Sequence, residues 1–134
     1  MNNPVTIYTD GACRPNPGPG AWAAVLTAGS YEKVISGRAE DTTNQRMELY
    51  AIVEALQALN PRGRSVTVVS DSQYALRVCS GQWSAKSNLE LVSAARQLAA
   101  RHDVSWKWVR AHSGHAGNER AHREATRQLN QVDR

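Results

Sequence analysis

Val5-Thr6-Ile7-Tyr8-Thr9-Asp10-Gly11 is the stretch whose reading decides the fold. Val, Ile, Thr and Tyr favour the pleated backbone, so the run predicts a buried strand that finishes in a carboxylate. Asp10-Gly11 is expected to break that strand, and Arg14-Pro15-Asn16-Pro17-Gly18-Pro19-Gly20 to form a rigid loop. Alone, Asp10 reads as a turn aspartate, because Asp-Gly is a favoured hairpin dipeptide. A second strand, Ser65-Val66-Thr67-Val68-Val69-Ser70, changes that reading, since it too runs into a carboxylate, Asp71. Two apolar strands that each end in a carboxylate predict a crevice at the strand ends, where open α/β sheets place their chemistry.

Working outward, Ala21–Leu26 reads as a second strand and Tyr31–Arg38 as a third, joined by a turn at Ala28-Gly29-Ser30. Such a short connection predicts antiparallel neighbours. Thr42 and Gln45 have capping-box spacing ahead of a helix from Gln45 to Leu59, which Asn60-Pro61-Arg62-Gly63 stops. Its stripe is Leu49, Ile52, Val53, Leu56 and Leu59. After the Val66–Ser70 strand a helix starts at Asp71 and is interrupted at Ser80–Ser84. An amphipathic helix runs from Asn88 to Arg101, with Leu89, Val92, Ala95 and Leu98 or Ala99 inward. Val104–Val109 is the last strand. A loop, Arg110 to Gly117, leads to a helix from Asn118 to Val132. In that helix His122, Ala125, Leu129 and Val132 point inward, while Arg120, Arg123, Glu124 and Arg127 face away. Helical crossovers make the later strands parallel to one another and to the first. The expected architecture is an α/β fold with a mixed five-stranded sheet, three antiparallel strands followed by parallel ones, flanked by helices.

The 134 residues suit one domain with one core, spanning 1–134. A net charge of +4 fits a polyanionic partner without requiring one. Cys13 and Cys79 lie far apart, and the four histidines all follow residue 100 with no zinc-site spacing. Reduced thiols in a cytoplasmic protein, and no structural zinc, follow. No apolar run is long enough for a signal peptide or a membrane span, and a monomer is expected.

Glu48 has Ile52, Ala55 and Leu59 as its helical neighbours, so it points to the core side, whereas Glu54 falls on a wetter face. A first-turn glutamate favoured by the helix dipole would want solvent. A carboxylate on the core side is expensive unless it is paired or holds a metal. Asp10, Glu48 and Asp71 can therefore converge at the strand ends beside a helix start. Left alone they repel one another. Divalent cations relieve that repulsion, and an all-oxygen site suits Mg²⁺ or Mn²⁺. Two such ions can clamp the attacking and leaving oxygens of a phosphodiester displacement. A basic protein with such a site is a candidate nuclease.

Five blocks carry a family resemblance: Tyr8-Thr9-Asp10-Gly11, Asn16-Pro17-Gly18-Pro19-Gly20, Thr43-Asn44-Gln45-Arg46-Met47-Glu48-Leu49, Ser70-Asp71-Ser72-Gln73-Tyr74 and Trp108-Val109-Arg110-Ala111-His112-Ser113-Gly114-His115. In this order, across nearly the whole chain, they resemble the signature blocks of type 1 ribonuclease H. The resemblance implies metal-dependent endonucleolytic cleavage of the RNA strand of RNA/DNA hybrids, leaving 5′-phosphate and 3′-hydroxyl ends. It matches Asp10, Glu48 and Asp71 to the metal ligands. It matches His112 to a loop histidine that assists proton transfer or product release. Cys13, Asn16, Asn44, Gln45 and Gln73 match positions that contact the hybrid minor groove, where 2′-hydroxyls mark the RNA strand. Thr43 matches a position that holds a DNA phosphate. Capping and turn chemistry is the competing reading of these polar residues.

Two departures stand out. The segment between Trp83 and Asn88 is short, where many bacterial members carry a Lys- and Trp-rich basic handle; here the chain resembles the handle-less domains of retroviral reverse transcriptases. The family's fourth acidic ligand falls at His122. An imidazole there is either a substitute ligand, or holder of metal-bound water, or a packed side chain, with Glu119 as the rival substitute. Two alternatives stay open: a hybrid-binding module with weak or no cleavage, and a different nuclease or transposase-like enzyme on the same fold.

Overall fold

The computed structural model describes residues 3–60, 63–111 and 113–131. Among these described residues nine elements follow in order: β1 (Val5–Cys13), β2 (Gly18–Ala28), β3 (Tyr31–Thr42), α1 (Asn44–Gln57), β4 (Ser65–Ser70), α2 (Gln73–Cys79), α3 (Leu89–Ala99), β5 (Asp103–Trp108) and α4 (Ala116–Asn130). The five strands form one sheet in the order β3-β2-β1-β4-β5. β1–β2 and β2–β3 pair antiparallel, while β1–β4 and β4–β5 pair parallel. The mixed sheet expected from the crossovers is the one observed.

The strand ends differ from the sequence reading. β1 does not break at Asp10-Gly11. It runs on to Cys13, because its hairpin partner continues the ladder through Asp10↔Ala23, Gly11↔Trp22 and Cys13↔Gly20. The expected rigid loop shrinks accordingly, and Gly18–Gly20 belongs to β2. Parallel pairing with β4 stops earlier, at Tyr8↔Val69. Asp10 therefore lies past the last β4 partner, still inside a strand, and Asp71 follows the last residue of β4 directly.

α1 packs on β1, β2 and α3, whereas α4 covers β1, β2 and β3. The main core joins Ile7, Leu49, Ile52, Leu56, Val66, Val68, Val78 and Val92, all buried. Three helical expectations shift. The N-cap of α1 is Thr43, whose Oγ1 accepts from the Arg46 amide at 3.2 Å. Thr42 closes β3 instead and is no cap, because the β2–β3 ladder reaches it through Gly18↔Thr42. In α3, Leu89 is 60% exposed and Leu91 takes the buried place. Val92, Ala95 and Leu98 are buried as expected, so the phase of the stripe holds; Leu89 is the first residue of the helix, after the left-handed N-cap Asn88 (φ 56°), and stays outside the buried stripe. In α4, Ala121, Ala125 and Leu129 are buried, and the expected inward Val132 lies outside the described residues. Glu124 does not face away. It accepts from Ser36 Oγ of β3 at 3.1 Å and from Arg127 at 3.1 Å.

Candidate active site

Glu48 reaches the sheet because Gly11 lets α1 lie directly on β1. A Cβ built on Gly11 would sit 2.6 Å from the Glu48 amide nitrogen and 2.6 Å from the Met47 carbonyl carbon. No side chain fits there, so the first turn of α1 touches the strand next to Asp10. Met47 and Leu49 are buried on either side of Glu48 and fix its turn of the helix. α1 is itself anchored by its cap and by the Asn44 amide, which donates to Asn16 Oδ1 at 3.1 Å.

Asp71 is held in the turn between β4 and α2. The Ser72 amide donates to Ser70 Oγ at 3.0 Å, Ser72 Oγ caps α2 by accepting from the Ala75 amide, and the Trp108 indole donates to the Asp71 carbonyl at 3.1 Å. The neighbouring strand thus orients the backbone that carries this carboxylate.

Asp10, Glu48 and Asp71 each offer a carboxylate oxygen, and these atoms lie within 4.8 Å of one another. Asp10 and Glu48 are buried and Asp71 is half-buried. Burial pushes the Asp10 carboxyl up from 3.8 to about 6, with the Asp71 charge adding to it; the His122 contact and the Gly11 amide oppose the rise. Glu48 is raised well above the usual range, first by burial and then by Asp10 and Asp71, against one hydrogen bond from the Gly11 amide. Glu48 Oε1 is buried with no hydrogen-bond partner. A buried, unpartnered acceptor facing two more carboxylates is costly in a protein by itself and fits a cation. The donor set is all oxygen, which suits a hard divalent ion.

The other sequence candidates fall into three groups. His122 comes to the site, with Nδ1 2.9 Å from Asp10 Oδ2. Gln45 and Gln73 are exposed and, with Asn44, lie in the opening turns of α1 and α2, where free amides favour anions. Asn16 and Thr43 are engaged in anchoring α1, as the capping reading held. Cys13 is turned inward: it is 6% exposed, and its thiol lies 3.3–3.4 Å from the Pro15, Gly18 and Thr42 carbonyls. Its side chain is no surface contact, because residues of that parity in β1 face the core. His112 lies outside the described residues. Asn118 was not singled out from the sequence. With Asp10, Asp71, Arg110, Glu119 and His122 it lines a shallow cleft, and its Oδ1 is buried without a hydrogen-bond partner. The signal was its place one turn before His122.

Residues 2–130 match the RNase H family. A Ribonuclease H of Cupriavidus metallidurans is 46% identical over 136 residues, which cover 92% of this chain and 93% of that protein. The N-terminal RNase H domain of a Mycobacterium tuberculosis protein superposes with a TM-score of 0.83 at 26% identity, over 96% of this chain and 94% of that one. LC11-RNase H1, solved in complex with RNA/DNA hybrid, shares the fold with a TM-score of 0.78 at 22% identity, over 94% and 96% of the two chains. This chain belongs to the type 1 ribonuclease H family.

Proposed function

We propose that the chain hydrolyses the RNA strand of RNA/DNA hybrids endonucleolytically, in a divalent-metal-dependent reaction that leaves 5′-phosphate and 3′-hydroxyl ends. The observation that carries this reading is Glu48: a buried carboxylate, one oxygen unpartnered, facing Asp10 and Asp71 in a ribonuclease H chain. These three residues would hold Mg²⁺ or Mn²⁺, two ions when substrate is bound. Such ions neutralise charge developing on the phosphodiester and polarise it for attack.

The remaining work falls to the chain's own groups. Gln45 and Gln73, with Asn44, sit at two adjacent helix starts suited to the minor groove, where 2′-hydroxyls distinguish RNA from DNA. Asn16 holds the 14–17 loop beside them. Thr43 offers a DNA phosphate the amides of the α1 N-terminus, its own hydroxyl being engaged as the cap. Cys13 would meet substrate only through its main chain. His112, which follows β5 and precedes α4 in the sequence, would assist proton transfer or product release. No helix among the described residues is long and apolar enough to cross a membrane. The enzyme proposed here is a cytoplasmic monomer.

Incubating labelled RNA/DNA hybrid, double-stranded RNA and double-stranded DNA with each metal tests the reading. Only the hybrid is expected to be cut, with 5′-phosphate ends on the RNA fragments. Hybrid binding without cleavage in either metal would favour the binding module instead.

The short Ser80–Asn88 connection leads to a second prediction. The Arg77 guanidinium lies over the Trp83 ring at 5.0 Å, and Arg77 also lines a small pocket with Gln73 and Trp108. Trp83 and Trp108 are both nearly half exposed. This strip runs from Asp71 toward the position of the missing handle and offers a cation with two aromatic faces. Hybrid affinity measured over a salt series should give a shallower slope than in handle-bearing relatives. Arg77→Ala should reduce that slope by about one. An unchanged slope would remove Arg77 from the substrate path.

A further inference from the structure

We propose that His122 is a positioning residue, which donates a hydrogen bond from Nδ1 to Asp10 and so holds that carboxylate for the metal, and that it is not itself a ligand. The proposal rests on the metal-site reading above.

The placement begins with Gly117. A Cβ there would run into the Tyr8 ring, so the first turn of α4 lies directly against that side chain of β1. Tyr8 and Asp10 are two residues apart in β1 and share a face. His122, further along α4, meets Asp10 at 2.9 Å. That is the length of a hydrogen bond to a charged acceptor. An ionised carboxylate only accepts, so Nδ1 is the donor, and neutral imidazole suffices.

Exposure separates the partners. The Asp10 side chain is 8% exposed and that of His122 is 41% exposed. Asp10 therefore depends on protein donors to fix its rotamer against repulsion from Glu48 and Asp71. Among the described residues, the atoms that gather as possible ligands are those of the three carboxylates. With Nδ1 on Asp10, ligation by His122 would fall to Nε2 on the far side of the ring. A group that orients a ligating carboxylate controls metal affinity without touching the metal.

Two isosteres separate the readings. Asn places an amide nitrogen, a hydrogen-bond donor, where Nδ1 stands, whereas Gln places its amide where Nε2 stands, with an oxygen that can ligate a metal. Purified His122→Asn, His122→Gln and His122→Ala are compared with the parent by Mn²⁺ calorimetry and by thermal melts in chelator, with circular dichroism as the check on folding. His122→Asn should hold Mn²⁺ affinity within about threefold and keep the melting temperature, while Gln and Ala should lose roughly tenfold or more in affinity. Gln and Ala should also melt several degrees lower. The reverse order, with Gln retaining affinity and Asn losing it, would make His122 a ligand and overturn the proposal. Three variants that all match the parent would reduce the position to packing. Hybrid cleavage by the parent is scored separately. A parent that cleaves while its variants break this order defeats the positioning role and leaves the proposed activity standing.

Discussion

Asp10→Asn is expected to abolish hybrid cleavage and, in chelator, to raise the melting temperature. The two effects have one cause. Asp10 is buried beside Glu48 and Asp71, and its carboxyl is raised from 3.8 to about 6, first by burial and then by the Asp71 charge. A carboxyl whose folded-state value is raised binds its proton more tightly in the folded protein. It therefore contributes stability below its unfolded value, and that stability is lost as pH rises through the folded value. Melts of the metal-free parent should fall between pH 4 and 6, by an amount worth on the order of 3 kcal/mol, and stay low above that window. The Asn variant carries no charge to bury and should not show this part of the fall.

Metal reverses the order. A cation that binds only the folded state stabilises by its affinity, so saturating Mg²⁺ or Mn²⁺ should lift the parent far more than the variant. Turnover is the other half. With one of three ligands neutralised, cleavage should drop by roughly three orders of magnitude or more. A variant that turns over normally, or one that melts well below the parent in chelator at pH 7, would mean that Asp10 serves the fold and not the chemistry.

Gly11→Ala should destabilise the protein by about 3 kcal/mol or more. The added methyl would sit 2.6 Å from two backbone atoms of α1, which cannot rotate away as a side chain end could. Either α1 lifts off β1 or the strand bends. Both separate Glu48 from Asp10, so molecules that still fold should bind divalent cations weakly. A melting temperature about 10 °C lower is the expected size. A variant within two or three degrees of the parent, with metal affinity intact, would show that α1 can shift without disturbing the site. Gly20 is also close-packed, against the Thr42 and Met47 side chains and the Ala12 carbonyl oxygen, so the close approach is shared by the corner where β1, β2 and α1 meet.

The three carboxylates were legible in the sequence because each stands beside a strong local signal. Asp10 and Asp71 follow runs of β-branched residues, and Glu48 occupies the apolar phase of an amphipathic helix. Such signals need only near neighbours, so composition and periodicity carry them. The order of strands and helices, and hence the mixed sheet, is legible for the same reason. Strand ends are not. Asp-Gly is a turn dipeptide by propensity, yet Asp10 and Gly11 stay extended because β2 supplies hydrogen bonds as far as Cys13↔Gly20. Leu89 has the inward phase and yet lies outward, because it opens α3 and only the residues from Leu91 on reach the core.

The sequence alone therefore determined which residues carry charge into the core and which elements bear them. Tertiary structure decided what those residues face. Glu124 finds Ser36 from 88 positions away, and His122 finds Asp10 from 112. No periodicity reaches across such separations. These contacts exist because the glycines at 11 and 117 let two helices close on opposite faces of β1, and side chains that are distant in the chain become neighbours only when that packing forms.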